Sequence, residues 1–218
     1  MLSAIGSGER TFTNIGRAAG GTPHASLSRS LTTLVSKRVV AVDEPLSTRP
    51  ASKEKRYRVP DPYLRFWLSF LGPHLDEIER GRGDRVLARI GKSWTSWRGR
   101  AIEPVVREAM ERLAPPVLIG EDDVPGVVGG YWTRTNNPEI DVVVGDRAPV
   151  AKRVIALGSI KWLENAPFDQ RDLGALQAHR LQLPGAGVDT PLIAIARSGC
   201  TVDGVVHLAP EELITGYV

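Results

Sequence analysis

Four side chains in the C-terminal half have the types and spacing that phosphodiester chemistry needs. Glu139 and Asp141 stand two apart in a run with strand periodicity and so share one face. Ser159 and Lys161 do the same in the next such run. A carboxylate on one strand facing a lysine on its neighbour, joined by Glu103 from a preceding helical stretch, can hold a divalent cation and a water against a scissile phosphate. Magnesium suits such oxygen ligands, and Lys161 would orient or activate the attacking water. The plainer expectation from the same spacing is a partly buried ion pair between Asp141 and Lys161. A second group of side chains is basic and lies near the N-terminus: Arg29, Lys53, Lys55, Arg56 and Arg58. Their chemistry is attraction to phosphate rather than catalysis.

The elements that must position these residues can be read from pattern. Residues 13–19 form a short helical stretch ended by Gly20-Gly21, and Thr22-Pro23 opens a second, with threonine as N-cap and proline in the first turn. Leu27, Leu31, Leu34 and Val35 recur at helical spacing there, which leaves Ser26, Arg29, Ser30 and Thr33 on the outer face. A β-branched run at 39–42, a loop rich in Pro and Ser, and the basic run 53–59 predict two strands around a loop, the wing of a winged helix. If DNA is bound, the helix carrying Arg29 enters the major groove while Lys53, Lys55, Arg56 and Arg58 hold phosphates beside it. The alternative is a solvated helix face and an ordinary charged hairpin, and many winged helices bind protein.

An aromatic-rich amphipathic helix is predicted from Asp61-Pro62 to Phe70, with Leu64, Trp67, Leu68 and Leu71 on its buried stripe. Helices over 85–100 and 102–113 follow, separated by a break at Gly99 and stopped by Pro115-Pro116. Strands are predicted over 127–132, 139–144 and 154–162, then a helix over 169–181 and a fully apolar strand over 191–196. Helix, three strands, helix, strand is an α/β sandwich order.

Composition narrows the class. The single cysteine, Cys200, excludes an intrachain disulfide and a Cys-based zinc knuckle, and no apolar run approaches a membrane span. No signal-peptide pattern opens the chain, so a cytoplasmic protein without a membrane partner is expected. The net charge of +3 hides an asymmetry: residues 1–60 hold 10 Lys+Arg against 4 Asp+Glu, and the remainder 18 against 21. A localised positive field is the electrostatic footprint of phosphate-backbone binding, and double-stranded DNA is the expected partner.

The run Arg56-Tyr57-Arg58-Val59-Pro60-Asp61-Pro62-Tyr63-Leu64-Arg65-Phe66-Trp67, together with residues 99–103, Glu139-Ile140-Asp141-Val142-Val143 and Lys161-Trp162, resembles the C-terminal region of archaeal-type (DEXX-box) ATPases. In that family a P-loop ATPase domain precedes a winged helix and a domain similar to PD-(D/E)XK nucleases. The resemblance implies an α/β (α+β) chain with a winged helix-turn-helix over 1–60 and connecting aromatic-rich helices over 61–95. A small PD-(D/E)XK-like mixed-sheet domain flanked by helices then occupies 96–218. It makes Glu103 the helix carboxylate, Asp141 the metal-binding aspartate and Lys161 the motif lysine. One position departs: Ser159 stands where the family's second metal carboxylate belongs, and a neutral hydroxyl adds little to the binding of a hard dication. Glu139 or Glu164 would have to substitute for it, with Gln177 positioning a water. No G-x-x-x-x-G-K-[ST] occurs, so these residues are not expected to hydrolyse ATP. The expected function is a DNA-binding and interaction module with a degenerate nuclease-fold domain. The alternatives are an active magnesium-dependent DNA nuclease and a protein-binding partner of a separately encoded ATPase domain.

Overall fold

A computed structural model describes residues 1–50, 53–120 and 123–216. The chain is a mixed α and β protein that divides into two compact units, one of Met1–Asp43 with Lys53–Thr95 and one of Glu44–Ser52 with Ser96–Val218.

The first unit opens with three helices, α1 (Leu2–Gly6), α2 (Phe12–Ala18) and α3 (His24–Ser36), followed by the two-stranded antiparallel sheet β1 (Ala41–Asp43) and β2 (Arg56–Arg58). Thr11 caps α2, its hydroxyl accepting from the Asn14 amide at 3.4 Å. Thr22 does not cap α3 as the sequence suggested. Pro23 holds the N-cap position and the Thr22 hydroxyl turns back to the Ala19 carbonyl at 3.0 Å. Ile5, Ile15, Leu27, Leu31, Val40, Val59 and Leu68 form one buried core, so the helical spacing of leucines in α3 does what its period predicts.

The aromatic segment is not one helix. Asp61 caps α4 (Pro62–Phe66), accepting from the Leu64 amide at 2.5 Å, after which the chain widens into a π turn over Trp67–Leu71 and a 3-10 turn over Gly72–His74 before α5 (Leu75–Glu79). The wide turn seats Leu68 against Gly6, where a side chain would clash, and lets the Ser69 hydroxyl donate to the Gly6 carbonyl at 2.7 Å. These helices thus join the core of α1–α3, and the stretch at 61–95 falls within the first unit.

The 31-residue helix α6 (Gly83–Leu113) runs through Gly99 and Pro104 without the predicted break, and the division between units falls within it at Thr95. Its C-terminal part buries Val106, Ala109 and Met110 in the second unit. That apolar stripe outweighs the roughly 1 kcal/mol a helix-interior glycine costs.

The second unit is built on a five-stranded sheet in the order β3 (Val127–Trp132), β4 (Glu139–Gly145), β5 (Val154–Lys161), β6 (Leu192–Ala196), β7 (Val206–Leu208). The pairs β3–β4–β5 are antiparallel and β5–β6–β7 parallel. On one face Val142, Val144, Ala156, Ile193 and Ile195 pack with the α6 stripe. On the other, Val143, Leu157, Ala194 and Ala196 pack with Phe168 and with Leu173 and Leu176 of α7 (Gln170–Arg180). Both faces are covered, which is why β6 carries no polar residue. Strand β7 and helix α8 (Pro210–Thr215) were not expected from pattern; three residues and one buried leucine in six leave almost no periodicity to find.

Candidate functional site

Two irregularities in the ladder flanking β4 create the site. Between β3 and β4 the register shifts, with Gly129 opposite Val143 but Tyr131 opposite Ile140, so one extra residue of β4 is accommodated at Asp141–Val142 as a bulge. Between β4 and β5 the pairing ends at Val142 opposite Gly158, while β5 continues beside β6 as far as Lys161 opposite Ala196. Strands β4 and β5 therefore fork at Asp141.

The side chain of Asp141 fills the fork. Its Oδ2 accepts from the Ser159 hydroxyl at 3.0 Å and from the Ile160 amide at 2.8 Å, taking the backbone donor that has no β4 partner. On the bulge side the Arg107 Nε of α6 donates to the Asp141 carbonyl at 2.7 Å, and its Nη2 lies 3.5 Å from Glu103 one helical turn earlier. Burial pushes the Asp141 carboxyl above the ordinary carboxylate range, and the Glu139 charge adds to the rise. The Ile160 amide, the Ser159 hydroxyl and the Arg107 guanidinium pull the other way.

Lys161 lies on the same side of the sheet as Asp141 but has a different partner. Its ammonium pairs with Asp172 of α7, so the ion pair expected with Asp141 is replaced by one between strand and helix. Asp172 serves twice, because its carboxylate also accepts from the Asp169 amide at 3.1 Å in the capping box that starts α7. The Asp169 carboxyl is held below its usual range chiefly by the Asp172 amide. A cavity of about 100 Å³ opens above the fork, lined by Glu139, Asp141, Ser159, Asp172, Leu176 and His179 among others.

The structure thus brings Glu139, Asp141 and Ser159 to one cavity and sets Lys161 beside it on Asp172. Glu103 stays with Arg107 on α6. Glu164 is elsewhere, accepting from Arg98 and Arg197 at 2.7 Å each, and these two hydrogen bonds lower its pKa. Gln177 is exposed on α7 and is not part of the cavity wall. Arg107, Asp172 and His179 were not anticipated. Asp172 was legible as the fourth residue of an Asp-x-x-Asp capping pattern, and Arg107 as the i+4 partner of Glu103.

These donors do not fit a hard dication. Asp141 Oδ2 already accepts two hydrogen bonds, Ser159 spends its proton on that oxygen, and Glu103 faces a guanidinium. Among the described residues no group of three or more His, Cys, Asp or Glu side chains is placed to hold a metal ion.

In the first unit, Arg29 is exposed on α3 and Lys53 and Lys55 are exposed near β2, as a phosphate-binding surface requires. The other two basic candidates are placed differently. Arg56 is buried, with 9% of its surface exposed, and Arg58 is tied across the ribbon to Asp43 at 2.9 Å. Alternation puts both arginines on one face of β2, opposite the face from which Tyr57 and Val59 join the core, and Arg58, whose direct cross-strand partner is Ala41, reaches Asp43 along the diagonal.

By fold and site, the chain pairs a small helical unit bearing a two-stranded ribbon with a mixed five-stranded sheet whose forked strands enclose an aspartate. Residues 67–173 match the model of the DUF234 family, described as "Archaea bacterial proteins of unknown function". That span, just under half the chain, contains Glu103, Asp141, Ser159, Lys161 and Asp172 and begins after the three N-terminal helices and the ribbon. No curated protein and no solved structure matches the chain. No helix among the described residues is long and apolar enough to cross a membrane.

Proposed function

We propose that this chain is a DNA-binding and interaction module whose second unit is a nuclease-like fold that has lost its cleavage chemistry. Three helices followed by a two-stranded ribbon is the order of a winged helix, and its third helix is the element such a module lays in the major groove. The observation that carries the reading is the outer face of α3. Ser26, Arg29 and Thr33 are all exposed there, with Lys37 exposed just past its end, short or basic and with no large apolar side chain among them. The excess of 10 basic over 4 acidic residues in the first sixty supplies the field that draws a duplex to that face.

What supports a loss of cleavage is the second unit's own contacts. Strands that fork at an aspartate, with a lysine further along the longer strand, support the likeness to PD-(D/E)XK nucleases. Here the aspartate serves the fork and the lysine serves Asp172. By the same resemblance, the alternative reading is a protein-binding module for a P-loop ATPase domain, which co-purification would test. The decisive experiment is fluorescence anisotropy of the full chain with a labelled duplex at stepped salt. Binding that weakens with salt and is lost in Arg29→Glu and Lys55→Glu is expected. No association at low salt, or indifference to both reversals, removes the reading. Magnesium- or manganese-dependent cleavage abolished by Asp141→Ala would instead restore the nuclease.

A further inference from the structure

The loop between β1 and β2 does not project as the tip of a wing. Its described residues, 44–50, belong to the second unit, where Leu46 and Ser47 are each only 1% exposed. The Leu46 amide donates to the Gly130 carbonyl at 2.8 Å, within the register shift opposite the Asp141 bulge, where the β3–β4 ladder is interrupted. Ser47 bridges Val150 in parallel and accepts from the Ala151 amide at 2.9 Å, and the Thr48 amide donates to Pro184 at 3.3 Å.

The slot is shaped for this segment. A Cβ at Gly129 would come within 2.9 Å of the Leu46 Cβ, and one at Gly185 within 2.2 Å of the Thr48 methyl, so both positions must be glycine for the loop to seat. Leu46 packs into the same core as Tyr131, Val143 and Ala151. Within the second unit the segment is thus strand-like, hydrogen-bonded and buried.

We propose that residues 44–50 are a docked strap that restrains duplex binding: seated in the slot beside the Asp141 bulge, the apex of the ribbon cannot follow a phosphate backbone. Release of the strap frees it together with the adjoining Lys53 and Lys55. This rests on the DNA-binding reading above. Binding competence then requires an open form, and the apparent affinity is reduced by the fraction of chains in which the strap is released.

Two full-length variants move the strap in opposite directions. Leu46→Asp places a charge in an apolar slot and releases it. Ser47→Cys with Val150→Cys, in a Cys200→Ser background, locks it on oxidation, since neighbouring strands lie about 4.8 Å apart, within disulfide reach. Amide exchange at Leu46, Thr48 and Ala151 reports seating, and duplex anisotropy reports binding. Release is expected to tighten duplex binding at least about tenfold, and the oxidised lock to weaken it, with reduction restoring the original affinity. If the wild type binds duplex and neither release nor locking changes its affinity, the strap is not a restraint and the DNA reading stands. If none of the three forms binds at low salt, both fall. Should Leu46→Asp fail to fold, the lock alone decides, because its reduced form preserves the packing.

Discussion

Replacing Asp141 by alanine and by asparagine separates a hydrogen-bonding role from a charge-bearing one. Alanine removes the acceptor of the Ile160 amide and the Ser159 hydroxyl. The hydroxyl can rotate toward the cavity, whereas the amide is fixed in β5, and an unsatisfied buried donor costs roughly 1–3 kcal/mol. Asp141→Ala is therefore expected to lose about 2–3 kcal/mol of unfolding free energy. Asparagine keeps a carbonyl oxygen in place and discards a charge that burial disfavours, so Asp141→Asn should lie within about 1 kcal/mol of the wild type at neutral pH. The two proteins should also diverge with pH. Because the folded carboxyl titrates above its unfolded value, the folded state binds the proton more readily. The contribution of this group to stability is full below the unfolded pKa and is lost as pH rises through the raised folded one. Urea denaturation at about pH 5 and pH 8 should show wild type losing ground to Asp141→Asn at the higher pH, other groups cancelling in the comparison. If asparagine proves as damaging as alanine, or if wild type gains on it as pH rises, the negative charge is needed. In that case the fork holds a cation rather than a latch.

Further outcomes follow from the same contacts. Ser159→Glu sets a second carboxylate against an enclosed Asp141, so its loss of stability should be larger at pH 8 than at pH 5, measurable by the same denaturation. Lys161→Met and Asp172→Asn, combined in a double-mutant cycle, should show a coupling above the ~1 kcal/mol of a surface pair, because the two side chains are only 17% and 30% exposed; a coupling near zero would remove this tie between β5 and α7. Leu46→Ala empties a slot in the core of the second unit and should cost about 2–5 kcal/mol, with amide exchange rising first at Leu46 and Ala151 and not in the first unit's core. Arg107→Lys keeps a charge near Glu103 but is too short and differently shaped to serve the Asp141 carbonyl as well, and should release the bulge, seen as faster exchange in β3.

What the sequence could say about this molecule was local. Alternation placed β3, β4 and β5 within a residue or two, and the heptad-like leucines of α3 announced a buried face, since each depends only on which neighbours share a side. Period also put Asp141, Ser159 and Lys161 on one face of the sheet. It could not say where the β4–β5 ladder ends, and that end decides their chemistry: one more rung would have paired Ile160 with backbone and left the Asp141 carboxylate free for a ligand. Nor could it reveal that the extra β4 residue would leave a carbonyl for Arg107 on one side and a seat for Leu46 beside it. A loop of Pro, Ser and Thr reads as solvent-exposed because its composition is polar. The structure buries its one leucine and satisfies that leucine's amide from β3, more than eighty residues away in sequence, a pairing no window along the chain contains. Thus a single extra residue in β4 shapes both features that matter for function, the closed carboxylate in the fork and the anchored apex of the ribbon. A deletion that restores regular β3–β4 pairing should disturb both together.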